Sequence, residues 1–191
     1  MASSPGSEPN GLLKFNRRKN RDLATAEIER RDQYLAFTLG GETFAMGIGC
    51  IKEVIQFDSL TQVPLMPGFL RGVINLRGSV VPVIDVFVRF GRPSLPVTRR
   101  SCVVIVEVTE AEETAVLGIM VDSVSEVLEI GASEIEPTPA FGSDIRASFI
   151  AGVGRVGNRF VLLLDPNQVL SVEEMSELAG ARGPGDDILK R

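Results

Sequence analysis

The side chains best suited to specific recognition are an arginine and a glutamate in the first half of the chain. Arg77 lies in a polar turn, Asn75 to Gly78, between two apolar runs, and its guanidinium can bind a carboxylate through two parallel hydrogen bonds. Glu53, in the segment from Cys50 to Ile55, is the obvious acidic partner. An exposed Arg–Glu pair contributes only about 0–1 kcal/mol to stability. Two interpretations therefore stay open, a minor surface contact and a recognition site.

Two carboxylates raise the possibility of acid–base catalysis. Asp85 and Asp165 each follow an apolar run, one in each half of the chain. An aspartic-protease dyad needs two carboxylates about 3 Å apart, on glycine-bearing loops, and neither residue is followed by Thr-Gly. The sequence favours a different role, in which each carboxylate accepts hydrogen bonds from backbone N–H groups at the end of a strand.

Other catalytic groups are scarce. The chain has no histidine, so a Ser-His-Asp or Cys-His relay cannot be built. Cys50 and Cys102 are too few for a Cys₄ zinc site and lie in apolar surroundings typical of buried thiols. Carboxylate, lysine or tyrosine chemistry stays formally open. We predict a protein that is not an enzyme and needs no cofactor or metal.

The 191 residues carry a net charge of −5 that is unevenly distributed. Residues 1–31 hold seven basic and four acidic residues, a net +3, which leaves −8 on the rest. An acidic body without tryptophan argues against a nucleic-acid partner. No apolar run approaches the roughly 20 residues of a membrane-spanning helix, and no signal peptide is evident. We therefore predict a cytoplasmic protein without membrane insertion, whose residues 1–31 form a flexible basic tail, either solvated or an electrostatic tether.

After residue 31 the pattern is that of many short strands separated by Gly and Pro. Gly40-Gly41 predicts a hairpin turn, and Pro82, inside one run, predicts an edge or a bulge. Near the end, Ser171 to Glu174 has the spacing of a capping box and predicts a short helix within residues 171–191. The predicted strands are Gln33–Leu39, Glu42–Ile48, Val73–Leu76, Val80–Phe90, Cys102–Val108, Ala115–Val121, Val127–Ile130, Phe149–Val156 and Phe160–Leu164.

An ordered internal repeat indicates how these strands are grouped. Glu42–Ile48 aligns with Glu113–Ile119, and Val80–Asp85 aligns with Phe160–Asp165. Between them, Glu53-Val54-Ile55 matches Glu126-Val127-Leu128, and Phe69–Val73 matches Phe149–Val153. Each half is too small to bury a large core alone, so the two should pack along an apolar seam. The predicted fold is all-β, with two packed five-stranded barrels over residues 32–97 and 98–170.

The residues around the candidate turn also resemble a known family. The run from Gly68 to Asp85, GFLRGVINLRGSVVPVID, resembles the central signature of CheW, the bacterial chemotaxis coupling protein family. The runs Phe37–Met46, Ile51–Ile55 and Gly118–Leu128 are similar to other parts of that family. The resemblance extends from about Gln33 to Leu178 and departs from the family in the longer, more basic N-terminus.

The resemblance implies two SH3-like barrels and a scaffold that couples chemoreceptors to the histidine kinase CheA. The implied partners are the helical-hairpin tip of a receptor, the regulatory domain of the kinase, and further CheW copies in rings, in arrays at the inner membrane. By position, Glu53 and Arg77 match the polar pair that the family uses in coupling. The apolar residues that match positions near the receptor groove are Ile48, Ile51 and Val54.

Overall fold

A computed structural model describes residues 31–110, 113–138 and 147–171 of the chain. The predicted tail, apart from Arg31, and the predicted C-terminal helix, apart from Ser171, lie outside these residues. The strands are β1 (Arg31–Leu39), β2 (Glu42–Gly47), β3 (Ile51–Gln56), β4 (Leu70–Leu76), β5 (Ser79–Asp85), β6 (Cys102–Glu110), β7 (Glu113–Val121), β8 (Ser123–Gly131), β9 (Ile135–Glu136), β10 (Ile150–Val156) and β11 (Arg159–Leu164). Helical turns are α1 (Val86–Arg89), α2 (Pro166–Val169) and 3₁₀ turns at Ile48–Cys50, Ala132–Glu134 and Ala147–Phe149.

The strands form two sheets of the same design, which confirms the all-β prediction with SH3-like barrels. The first barrel has the order β3-β6-β7-β5-β4, and the second has β8-β1-β2-β11-β10-β9. In each, an antiparallel hairpin (β6–β7 or β1–β2) is flanked by a parallel partner, β5 beside β7 and β11 beside β2. The internal repeat therefore corresponds to a repeated topology, with the two-residue β9 as an addition to the second barrel.

The sheets do not follow the predicted division at residues 97 and 98. All five strands of the first barrel come from residues 51–121, whereas the second combines β1 and β2 with β8 to β11. The first barrel is thus inserted between the strands of the second. The first hairpin of each half pairs with a strand from the other half of the chain: β1 bonds to β8, and β6 bonds to β3.

Two local expectations also differ from the structure. The predicted strand Val80–Phe90 ends at Asp85, and the next four residues form α1, because the Asp85 carboxylate accepts a hydrogen bond from the Val88 N–H (3.1 Å) and caps the turn. Pro82 lies on an interior strand, not an edge. It is tolerated because β5 begins to pair with β7 only at Val83, one residue later.

Alternation along the strands divides the core into three clusters. On β1, the side chains of Leu35, Phe37 and Leu39 enter the seam between the barrels, while Ala36 faces the interior of the second barrel. Val103 and Ile105 on β6 face the interior of the first barrel, and the alternate residues face the seam. Both hairpins thus contribute one face to a barrel interior and the other to the shared seam.

Aromatic residues occupy the centre of that seam, which the sequence predicted only to be apolar. The rings of Phe37, Phe44, Phe90 and Phe149 lie in series, with neighbouring centroids 6.5, 5.8 and 5.9 Å apart. The guanidinium of Arg89 lies 5.2 Å from the Phe149 ring and 5.3 Å from the ring of Phe69. Phe69 and Phe149 are equivalent in the repeat, so a cation bridges matching positions of the two halves.

Candidate functional site

The first part of the candidate site is β3 together with the 3₁₀ turn that precedes it. Val54 on β3 and Ile48 in the turn are each 40% exposed. Ile51 instead packs partly against the seam core. The structure therefore brings two of the three predicted apolar residues to the surface and turns the third inward.

The polar pair forms across the edge of the first barrel. The Arg77 guanidinium donates a hydrogen bond to the Glu53 carboxylate, with Nη2 2.9 Å from Oε2. The Arg77 side chain is 79% exposed, while that of Glu53 is 25% exposed. The predicted pair is thus present, but solvent around the arginine limits its contribution to stability to about 1 kcal/mol or less.

The turn that carries Arg77 is strained. Arg77 and Gly78 join β4 to β5 with φ values of 51° and 90°, as in a type I′ turn, in which both central residues have positive φ. The Asn75 side chain supports the turn by accepting a hydrogen bond from the Gly78 N–H at 2.8 Å. Positive φ costs a residue with a Cβ roughly 1–2 kcal/mol. An arginine held in this conformation is typical of a functional position.

A related ion pair occurs in the second barrel, and the sequence reading missed it. Arg159 Nη2 lies 3.5 Å from Glu126 Oε1. Glu126 is the repeat equivalent of Glu53, but Arg159 begins β11, two residues beyond the position equivalent to Arg77. The match between Glu53 and Glu126 in the internal repeat was the sequence signal that could have pointed to this pair. Phe160 and Val127, next to this pair, are also exposed.

The two aspartates at the strand ends have structural roles. Asp85 is buried and also accepts a hydrogen bond from the Ser94 hydroxyl at 2.7 Å. Asp165 accepts hydrogen bonds from the N–H groups of Asn167 (2.9 Å) and Gln168 (3.3 Å) at the start of α2. Both carboxylates therefore cap short helices, as the sequence predicted. Among residues 31–110, 113–138 and 147–171, no three Cys, Asp or Glu side chains lie close enough together to hold a metal ion.

Cys50 is poorly suited to nucleophilic chemistry. Burial raises the pKa of its thiol above the ordinary value, and the nearby charge of Asp165 adds to the effect. The thiol donates a hydrogen bond to the Gly47 carbonyl oxygen at 3.1 Å. A reactive cysteine needs the opposite, an environment that favours the thiolate.

The fold and the site together define a protein of two packed SH3-like barrels, in which a polar pair of one exposed and one partly buried residue lies beside exposed aliphatic residues. The model of the CheW-like domain family matches residues 33–174, and the chain belongs to that family. This confirms the resemblance found in the sequence. In the described ranges, no helix is long and apolar enough to cross a membrane.

Individual relatives cover the same part of the chain. The chemotaxis protein CheW of Klebsiella aerogenes is 35% identical over 144 residues, which are 75% of this chain and 84% of that protein. CheW of Rhizobium meliloti is 32% identical over 142 residues, 74% of this chain and 89% of that protein. The crystal structure of the scaffolding protein TtCheW from Thermoanaerobacter tengcongensis matches with a TM-score of 0.63 at 32% identity, covering 71% of this chain and 85% of that one. The family is therefore one of chemotaxis scaffold proteins.

Proposed function

We propose that this chain is a non-catalytic adaptor that couples chemoreceptors to the histidine kinase CheA in a chemosensory array. The observation that carries the proposal is the family match over residues 33–174, which includes the whole candidate site. An adaptor of this kind acts by holding two partners in a fixed relation, which raises their effective concentration and biases the conformation of the kinase.

The receptor side of the proposal rests on the surface around β3. Val54 and Ile48 supply exposed aliphatic contacts, and the Glu53–Arg77 pair supplies directional polar contacts beside them. An apolar strip with a polar margin suits one face of an amphipathic helix, such as a helix of the receptor tip. Ile51 supports this surface from below through its contact with the seam core.

The kinase side of the proposal assigns the regulatory domain of CheA, and further copies of this chain, to the ends of the barrels. Such contacts would build rings of like barrels. The adaptor would act in the cytoplasm, at receptor arrays on the inner membrane, without inserting into the bilayer. The acidic body of the chain supports protein partners over nucleic acid.

Separate pull-downs of a receptor-tip fragment and of the kinase regulatory domain test the proposal. Val54→Asp should reduce receptor binding tenfold or more and leave kinase binding unchanged, because a carboxylate would be desolvated in the receptor contact. Val97→Asp is the matched control, since Val97 is similarly exposed but lies in the connection between β5 and β6. Circular dichroism checks that both variants fold.

Two outcomes would count against the proposal. Loss of kinase binding with receptor binding intact would mean that the two surfaces are assigned the wrong way round. Failure of the unmodified chain to bind either partner would reject the adaptor function itself.

A further inference from the structure

Leu65 lies in the connection between β3 and β4 and is 92% exposed, more than any other large apolar side chain in the described part of the chain. Its φ is 64°, and Pro64 precedes it, as in a type II turn, whose third position normally holds glycine or asparagine. Among the described residues, Arg77 is the only other non-glycine residue with positive φ. Backbone strain together with full exposure is typical of a residue whose contacts lie outside its own chain.

The neighbours of Leu65 enlarge this apolar surface and hold it in place. Val63 and Met66, on either side, are each 39% exposed. Pro67 is buried, and its carbonyl oxygen accepts a hydrogen bond from the Leu70 N–H at 2.9 Å, which anchors the loop at the start of β4. Val63, Leu65 and Met66 therefore form an apolar knob on a fixed loop.

A cleft of about 330 Å³ lies in the same barrel, between its edge strands β3 and β4. The apolar side chains that line it belong to the barrel interior or pack against it, namely Ile55, Phe57 and Val103. The Glu53–Arg77 pair closes one end, and Thr61 closes the other through two backbone hydrogen bonds with Val73, each of 2.9 Å. Because an apolar cavity of about 150 Å³ holds benzene, this closed cleft is large enough for a single leucine side chain.

The knob and the cleft lie at the same end of the first barrel. Thr61 forms the rim of the cleft, and Leu65, four residues further along the chain, lies at most about 14 Å from it. The high exposure of Leu65 means that it does not fill the cleft of its own chain. Two copies related by a two-fold axis can each place Leu65 in the cleft of the other.

The charges around the cleft favour the same arrangement. Asp58 lines the cleft, and Gln56, which also lines it, donates a side-chain hydrogen bond to the Arg99 carbonyl oxygen at 3.3 Å. Asp58, Arg99 and Arg100 are exposed, and none of them forms an ion pair with another described residue. A face with opposite charges side by side is complementary to itself across a two-fold axis.

We propose that this face of the first barrel binds the same face of a second copy of the chain. Leu65 of each copy enters the cleft of the other, and Asp58 of each copy lies opposite Arg99 and Arg100. The contact is isologous and closes at two copies, so it differs from the contacts that build rings. It goes beyond the proposed adaptor function and needs neither receptor nor kinase. One loop and one cleft supply fewer than the roughly 20–30 residues a side of a standard interface, so we expect weak, reversible pairing.

Sedimentation velocity of the full chain, over a concentration series up to millimolar protein, measures this pairing. We expect a monomer–dimer equilibrium without larger species. Leu65→Asn should weaken dimerisation at least tenfold and leave the chain folded, because asparagine tolerates positive φ better than leucine. Val80→Asn is the matched control and should change dimerisation less than threefold, since Val80 is 71% exposed but follows the Arg77 turn, at the opposite end of β4.

Charge reversal tests the identity of the partner independently. Asp58→Arg should weaken dimerisation at least threefold, because like charges then face each other. Adding Arg99→Asp and Arg100→Asp should restore it to within threefold of the unmodified chain, since the exchange keeps two identical copies complementary. Circular dichroism checks folding, and if Leu65→Asn does not fold, the charge variants decide the question. A chain that stays monomeric, oligomers that grow beyond two copies, equal effects of Leu65→Asn and Val80→Asn, or failure of the charge exchange to restore pairing would overturn the inference.

Discussion

Arg77 and Gly157 occupy equivalent positions in two matching hairpin turns, and both have positive φ, 51° and 60°. Each is the first of the two residues that join paired strands, β4 to β5 and β10 to β11. Glycine adopts this conformation without steric cost, whereas arginine does not. At this turn position the first barrel has an arginine side chain, whereas the second barrel has a glycine. The Arg77 guanidinium binds Glu53.

This relationship predicts that Arg77→Gly weakens receptor binding but has little effect on the free energy of unfolding. Relief of a strain of roughly 1–2 kcal/mol is offset by the entropy cost of glycine, about 0.5–1 kcal/mol, and by loss of the pair with Glu53, about 0–1 kcal/mol. The free energy of unfolding should therefore fall by no more than about 1 kcal/mol and rise by no more than about 1.5 kcal/mol. Receptor binding should fall tenfold or more. Urea denaturation and a receptor-fragment pull-down measure the two effects. An Arg77→Gly variant destabilised by clearly more than about 1 kcal/mol would show that the guanidinium has mainly a structural role.

A double-mutant cycle on Glu53 and Arg77 should give a coupling energy below about 1 kcal/mol for unfolding, as for other exposed pairs. The same cycle measured on receptor binding should give a larger coupling energy, because the partner removes solvent from the pair. Glu126 and Arg159 provide the matched control, since they form a related pair in the second barrel. A strong coupling in the stability cycle would contradict the recognition interpretation.

Phe149 and Phe160 provide a test of the seam. The Phe149 side chain is buried in the aromatic series, while Phe160 is 65% exposed. Phe149→Ala should lower the free energy of unfolding by about 3–5 kcal/mol, as expected for removal of a buried phenylalanine. Phe160→Ala should change it by less than about 1 kcal/mol. Similar losses for both variants would mean that the aromatic seam is not the main shared core.

Alkylation of Cys50 should proceed slowly and only at high pH. Because burial raises the pKa of Cys50, its thiolate forms at a higher pH than that of an ordinary cysteine. The thiolate is the form that iodoacetamide alkylates, so the rate of alkylation should also increase only at a higher pH. The measurement uses a Cys102→Ser background, with the same chain unfolded in urea as the control. If Cys50 is alkylated faster in the folded chain than in urea at neutral pH, its thiol is not in a buried environment that raises its pKa.

The sequence was sufficient to predict the features that depend on local patterns. Short apolar runs bounded by Gly and Pro predicted most of the strands, and the ordered matches from Glu42 to Asp165 predicted a repeated β topology. The two aspartates were correctly interpreted as caps. Arg77 and Glu53 were paired because a turn and a nearby segment, Cys50 to Ile55, offered opposite charges. These inferences need only spacing, charge and turn chemistry.

Long-range partners of the hairpins could not be predicted in the same way. Nothing local in β1 indicates whether it pairs with a strand of its own half or with β8, about 90 residues away. The side-chain direction of Ile51 was equally hidden, because a bulge between Ile51 and Glu53 changes which residues of β3 face inward. The strain at Arg77 also needed coordinates, since positive φ at a non-glycine residue leaves no pattern in the sequence.

The insertion of one barrel into the other leads to a prediction about fragments. Residues 48–121 contain every strand of the first barrel, so this fragment keeps all of its ladders although it exposes one face of the seam. Residues 32–97 contain the β1–β2 hairpin without β8 or β11 and lack the β6–β7 hairpin that β3 and β5 require. An isolated hairpin is marginal in water. We therefore expect the 48–121 fragment to retain strand structure by circular dichroism and slow amide exchange in β6 and β7, and the 32–97 fragment to exchange rapidly throughout. Cooperative unfolding of the 32–97 fragment would show that the first half folds without the hairpin of the second.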